Sequence, residues 1–441
     1  MGCTVSSSHY QSLVFLFYLV GAFLIAAQGA FALVPPSKTF KWTNQGDVQR
    51  NFAEYNSRYR ISPLSADRFY LCFYNTTPNS FTLAMGMGSP HLEFGIQWVW
   101  DANRGRRVKE NAVLSFGQDG NLVLTDSDGS VAWQTGTANK GVVDLKLLPN
   151  GNLVLIDGKG AFVWQSFSFP SDSLLPGQYL TVNGPNKLTS RVSAMDGSPG
   201  PYSFLLGDKN YAFIYTVKGK PLRYYKSSDQ QDRTVNMTVI VEEHEEFSDF
   251  TTVRLFFNTR DSSSFPHEST HFLGSPKFNG TYSFLRIRSD GALLVYSFWW
   301  QLNNPWVITY NILDELYSGV TQCQLPTKCG SLGVCSENMC VGCPQPKVFS
   351  AWSNTCKPPP TRCSRSAKYY KVPVPVDHFL SGFNDGIGPV GVDDCRSRCT
   401  KDCGCLGFFY NDNTRKCFLA PVLGTLAKVD NTSHVGYIKT A

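Results

Sequence analysis

Charge is scarce in this 441-residue chain: Asp, Glu, Lys and Arg together make up 17%. The formal net charge of +6 is mild and unclustered. No basic patch with interleaved aromatics occurs, which argues against nucleic acid as a partner. A mildly basic solvated surface exerts at most a weak pull on acidic polysaccharide. No long stretch carries the apolar period of a helix, and the abundance of Phe, Tyr, Gly and Pro suits short strands and many turns. A G-x-S-x-G elbow, a phosphate-cradling glycine loop and a nucleophile paired with a base are all missing, so the pattern implies no enzyme and no cofactor. After residue 32, no apolar run is long enough to cross a bilayer.

Residues 13–27 form a short apolar run, and Ala30-Phe31-Ala32 is an A-x-A site. Together they predict a signal peptide over 1–32, cut before Leu33, although its start carries no Lys or Arg. A retained anchor is the rival, and the run is short for a span. The expected compartment is therefore extracellular. Of 14 cysteines, Cys3 leaves with the signal, Cys72 stands alone and twelve lie from Cys323 onward. That density in a secreted chain reads as a disulfide framework. Asn75, Asn236, Asn279 and Asn431 each begin an N-x-Ser/Thr glycosylation site. Cys72 is either a small buried hydrophobe or an intermolecular disulfide partner.

What is present is a repeat. Residues 114–135 read LSFGQDGNLVLTDSDGSVAWQT and residues 145–166 read LKLLPNGNLVLIDGKGAFVWQS. Asn121 and Asn152, Val123 and Val154, and Trp133 and Trp164 are each 31 residues apart. Constant spacing marks one supersecondary unit stacked on its copy. Each copy alternates, turns at Asp-Gly or Asn-Gly, and alternates again, which predicts a hairpin. Asp119, Asn121 and Val123 share one face, and Leu122 and Leu124 the other. The repeated tryptophans are expected to anchor a common core.

GNLVL followed by WQS, with WDANR at 100–104 and WQSFSFPSDSLLPGQ at 164–178, resembles the bulb-type lectin domain of plants. The match is nearest to the S-locus glycoproteins and the epidermis-specific secreted glycoproteins, and it runs through most of the chain. The resemblance implies a mainly β fold. Its layout would be a bulb-type lectin domain over 33–180 and a second, degenerate lectin-like (S-locus-type) domain over 181–318, both β-prisms. An EGF-like module over 319–360 and a PAN/apple module over 361–441 would follow, with no kinase. A β-prism has three four-stranded sheets around an apolar axis. The implied location is the apoplast or cell wall.

In the C-terminal third, the spacing of Cys323, Cys329, Cys335, Cys340, Cys343 and Cys356 alone allows fifteen connectivities. The EGF-like resemblance implies Cys323–Cys335, Cys329–Cys340 and Cys343–Cys356. Residues 357–360 read as a semi-rigid Pro-rich linker. Asp393 or Asp394 is expected to cap a short helix carrying Cys395, Cys399 and Cys403 on one drifting face. The PAN resemblance implies Cys395–Cys417 and Cys399–Cys405, which leaves Cys363 with Cys403.

The family's mannose pocket has the pattern Q-x-D-x-N-x-V-x-Y, whose polar groups converge from one strand face while the Val packs beneath the ring. This chain offers Asp119, Asn121 and Val123 in the first copy, with Gly117 and Thr125 in the Gln and Tyr places. The second copy offers Asn150, Asn152 and Val154, with Leu148 and Ile156 there. Those six residues are the candidate carbohydrate site. The implied partner is a mannose-type sugar or wall polysaccharide. The alternative is an extracellular protein, with the lectin fold as a scaffold that binds no sugar. His267-Glu268-Ser269-Thr270-His271 fits the H-E-x-x-H zinc signature. Pro266 and Pro276 bracket it, so a polar loop is expected in place of the helix that zinc chemistry needs, and no metal is implied.

Overall fold

The computed structural model describes residues 33–243, 251–260, 266–275, 282–313, 320–346, 348–360, 363 and 366–440. The predicted signal segment and Asn279 lie outside them. The described residues are mainly β, and none of their helices is long and apolar enough to cross a membrane.

The first body closes three sheets around an apolar axis. One sheet runs Arg58–Ala66, Phe69–Thr77, Ser80–Gly88 and Ile96–Asp101 in order. The second holds the first repeat copy, Val113–Phe116, Leu122–Thr125 and Val131–Gln134, with Phe40–Thr43 paired on its outer edge. The third holds the second copy, Val142–Leu147, Leu153–Asp157 and Phe162–Gln165. It has three strands where the prism pattern implies four. The next strand, Ser173–Leu174, pairs instead with Leu285 and Arg286, so the chain enters the second body before residue 180.

Alternation explains the axis. Leu122, Leu124, Leu153 and Leu155 are fully buried, one face of each hairpin turned inward. Gly120 and Gly151 make the turns with φ of +79° and +87°, and a Cβ at Gly151 would stand 2.5 Å from the Phe69 ring. Trp100, Trp133 and Trp164, one from each sheet, meet edge to face with centroids 5.9, 6.2 and 5.8 Å apart. Each such ring removes roughly 150–250 Å² from water, several kcal/mol at about 25 cal/mol per Å².

The second body has three four-stranded sheets. Its core includes Leu188, Phe204, Phe213, Met237, Leu255, Leu285 and Leu293. The H-E-x-x-H residues fall on the strand Pro266–Gly274, paired with Thr251–Arg260, and not in a polar loop. On a strand, residues four apart are separated by about 13 Å, too far to share one metal ion.

The C-terminal third is one unit. Leu332–Ser336 pairs in parallel with Gly424–Lys428, so a five-stranded sheet spans both cysteine-rich stretches, and the residue 357–360 segment does not separate them. Its disulfides are Cys323–Cys335, Cys329–Cys340, Cys343–Cys356, Cys363–Cys403, Cys395–Cys417 and Cys399–Cys405. The helix Val392–Lys401 has Gly391 at its N-cap, which carries no side chain to cap it; Asp393 and Asp394, expected as the cap, fall inside the first turn and pair with Arg396 and Arg398. It ends before Cys403, so only Cys395 and Cys399 share its buried face.

Candidate carbohydrate site

The hairpin turns position the sequence-predicted residues and engage Asn121 and Asn152 internally, while Asp119 and Asn150 stay exposed with one side-chain oxygen each bonded. Asp119 Oδ1 accepts from the Asn121 backbone N–H at 3.1 Å, and Asn150 Oδ1 from that of Asn152 at 3.2 Å. Asn121 donates from Nδ2 to Gln134 Oε1 at 3.0 Å. Its Oδ1 accepts from the Thr135 hydroxyl and the Thr137 backbone N–H at 3.0 and 3.1 Å. Asn152 repeats this with Gln165 Oε1 at 2.8 Å, and with the Ser166 hydroxyl and the Phe167 N–H at 3.2 Å each. An amide oxygen has two lone pairs, so both acceptors are filled. The two side chains are 8% and 3% exposed. Val123 is half-buried and Val154 fully buried. Each copy keeps its three residues together on its own turn, and the two sets stay on separate sheets.

The sequence marks the partners Gln134 and Gln165 only through the repeated Trp-Gln, and alternation alone does not assign them this role. In the remaining sheet, Trp100-Asp101 stands in that place, and Asp101 does different work. It is 6% exposed and accepts from Arg191 of the second body at 3.4 Å. Arg104 reaches the carbonyls of Thr189, Ser190 and Gly197 at 2.8 to 2.9 Å. The WDANR motif thus clasps the two bodies together.

A buried charge cluster continues this seam. Arg286, 1% exposed, donates to Glu54 Oε1 at 2.5 Å, the Trp98 carbonyl at 2.6 Å and the Ser173 hydroxyl at 2.9 Å. Asp172 Oδ1 lies 3.8 Å from Arg286 Nε. Burial pushes the Glu54 carboxyl up, against the opposing pull of Arg286. Cys72 is fully buried in the first body and unpaired, with its thiol pushed far up by burial. It is a core hydrophobe and cannot reach a partner chain.

Of the other sequence-marked positions, Asn431 is exposed in a turn. Asn75 is half-buried on its strand, and Asn236 Oδ1 accepts from Asn258 at 2.6 Å. Among the described residues, no group of three His, Cys, Asp or Glu side chains is placed to hold a metal.

Comparison with known proteins agrees with this architecture. The D-mannose binding lectin family matches residues 97–195, and the PAN domain family matches residues 376–436. EP1-like glycoprotein 1 of Arabidopsis thaliana is 43% identical over 436 residues, covering 92% of this chain and 95% of that protein. The epidermis-specific secreted glycoprotein EP1 of Daucus carota is 43% identical over 348 residues, covering 74% and 88%. A receptor protein kinase of Zea mays, ZmPK1, is 30% identical, covering 73% of this chain but 38% of the kinase. With this fold and this similarity over almost its whole length, the chain belongs to the EP1-like family of lectin-like glycoproteins.

Proposed function

We propose that this protein is a non-catalytic extracellular recognition glycoprotein whose first-body motif strands are scaffold and take no mannose-type sugar. The observation that carries this reading is the internal use of both asparagines: the Asn121 and Asn152 oxygens each accept two bonds from their own loops. A sugar hydroxyl would have to displace those bonds. It would also lack the Gln and Tyr partners replaced by Gly117, Thr125, Leu148 and Ile156. Two absent hydrogen bonds, about 1 kcal/mol each, reduce affinity roughly 30-fold. Recognition then falls to other surfaces, in the apoplast or cell wall, after cleavage before Leu33.

The test is a glycan and wall-polysaccharide array probed with the disulfide-bonded chain and with a Thr125→Lys/Ile156→Lys variant. The variant places a long cation over each motif strand. Its binding profile is expected to match the wild type. Saturable mannose binding by the wild type that the variant loses would overturn the reading.

A further inference from the structure

We propose that an open cleft on the second body binds an acidic glycan, one that carries uronate carboxylates along its chain. This deepens the reading above, which leaves recognition to surfaces other than the motif strands. The cleft measures 670 Å³, and Lys209, Arg233, Arg260, Asp232, Asn183 and Gln231 line it. Its volume falls within the roughly 300–1,000 Å³ of ligand sites. The three cations lie too far apart in the chain to register there as a basic cluster, and the fold brings them to one wall.

The strand pairing carries the argument. Arg233 and Arg260 stand directly opposite each other where the strand Arg233–Glu243 pairs with Thr251–Arg260. Opposite residues of an antiparallel pair share a face with Cβ atoms about 4.5–5.5 Å apart, and like charges so placed repel. Both side chains are exposed, as is Lys209, so a ligand in the cleft can reach all three. Among the described residues, none of the three cations has an ion-pair partner. The nearby Asp229 is engaged by Lys226 and by Asn210, each at 2.8 Å. Asp232 is the one carboxylate on the wall, so the cations outnumber it three to one. An arriving carboxylate removes the repulsion between the two arginines, and a guanidinium fork grips it with two parallel N–H···O bonds. Asn183 and Gln231, both exposed, offer amide donors and acceptors to sugar hydroxyls. Among the described residues that line the cleft, none is aromatic, and Val235 is the one apolar side chain. The wall therefore lacks the stacking platform that single-stranded nucleic acid uses and the apolar pocket that anchors a protein partner. A chain of hydroxyls and carboxylates matches what is left.

The experiment titrates the full disulfide-bonded chain, by calorimetry, with an oligomer of galacturonic acid, with the same oligomer methyl-esterified, and with an oligoglutamate of equal charge. Arg233→Gln, Arg260→Gln and the double variant remove the opposed pair. Lys41→Gln/Lys140→Gln, at two exposed positions of the first body, removes as much charge elsewhere and is the control. Urea unfolding checks that each variant folds; loss of either arginine should leave the midpoint unchanged or raise it, because repulsion is relieved. The expected result is saturable binding of the acid oligomer, none of the ester, and at least tenfold weaker binding of oligoglutamate. Either arginine substitution should weaken binding about fivefold and the pair tenfold or more, with the control close to the wild type. Failure of the acid oligomer to bind the folded chain overturns the proposal. So does oligoglutamate binding as tightly, or a loss in the arginine variants no larger than in the control. Mannose binding on the array bears on the motif strands alone, so the two readings fail separately.

Discussion

Acid should loosen the C-terminal unit through one residue, His378. The side chain is 1% exposed on the strand Val376–His378, which pairs with Gly424–Lys428 in the shared sheet. Its Nδ1 accepts from the Leu380 backbone N–H at 3.3 Å, so the neutral ring carries its hydrogen on Nε2 and donates to the Val422 carbonyl at 2.9 Å. The ring lies against Phe379 and Phe409, with centroids 4.1 and 4.8 Å away. A second proton on Nδ1 would face the Leu380 N–H, donor against donor, inside an apolar pocket. Burial accordingly pushes the His378 imidazole down to about 4 from its ordinary 6.5. The unfolded chain takes up its proton near pH 6.5, while the folded one resists until about 4. Below 6.5, therefore, acid favours unfolding, and the loss grows to about 3 kcal/mol by pH 4, at 1.36 kcal/mol per pH unit. The assay is amide hydrogen exchange in Val376–His378 and Gly424–Lys428 between pH 7 and 4, corrected for intrinsic rates. His378→Gln is the control, since it can accept from Leu380 and donate to Val422 without titrating. Protection in the wild type should fall by about two orders of magnitude relative to the variant across this window. Parallel pH profiles for the two proteins would refute the reasoning.

Three other outcomes follow from the packing. Arg286→Gln leaves Glu54 and Asp172 buried without their cation, and should cost about 3–5 kcal/mol in urea unfolding; a cost below about 1 kcal/mol would show that the cluster is not what joins the two bodies. Trp164→Ala opens the axis where three tryptophans meet, and should cost about 3–5 kcal/mol by the same measurement. Mild reduction should unfold the C-terminal third first, because all six disulfides lie there. Each lost bridge removes about 2–5 kcal/mol, and limited proteolysis should then cut beyond residue 320 and spare the two prism bodies.

The parts of this fold legible in the sequence were those written locally and twice. The 31-residue offset exposed both hairpins, their buried leucines and two of the three axial tryptophans. Trp100 carries no Gly-Asn-Leu-Val-Leu beside it, so its equivalence to Trp133 and Trp164 appears only when three sheets close on one axis. Phe40–Thr43 is a four-residue edge strand in a proline-containing lead-in, too short for alternation to mark it. The parallel pairing of Leu332–Ser336 with Gly424–Lys428 joins segments about ninety residues apart, and no local pattern encodes such a contact. Glu54, Asp172 and Arg286 are likewise single charges scattered along the chain, and only the seam between two bodies brings them together.

The motif asparagines show why a legible pattern can still mislead about chemistry. Alternation correctly places Asp119, Asn121 and Val123 on the face opposite Leu122 and Leu124, which is all that a period of two can say. Whether an amide on that face is free for a ligand depends on a residue thirteen positions later, Gln134 or Gln165, arriving on the next strand to accept its hydrogen. In both copies it does, and the adjoining loop fills the amide oxygen as well. The same side chain that could bind a sugar hydroxyl then serves to fasten the hairpin to the loop that follows it. An Asn at this position therefore accounts for itself through folding alone. A claim of sugar binding must rest on groups that a ligand can reach and whose hydrogen bonds are still open, and the oxygen of neither asparagine meets that condition.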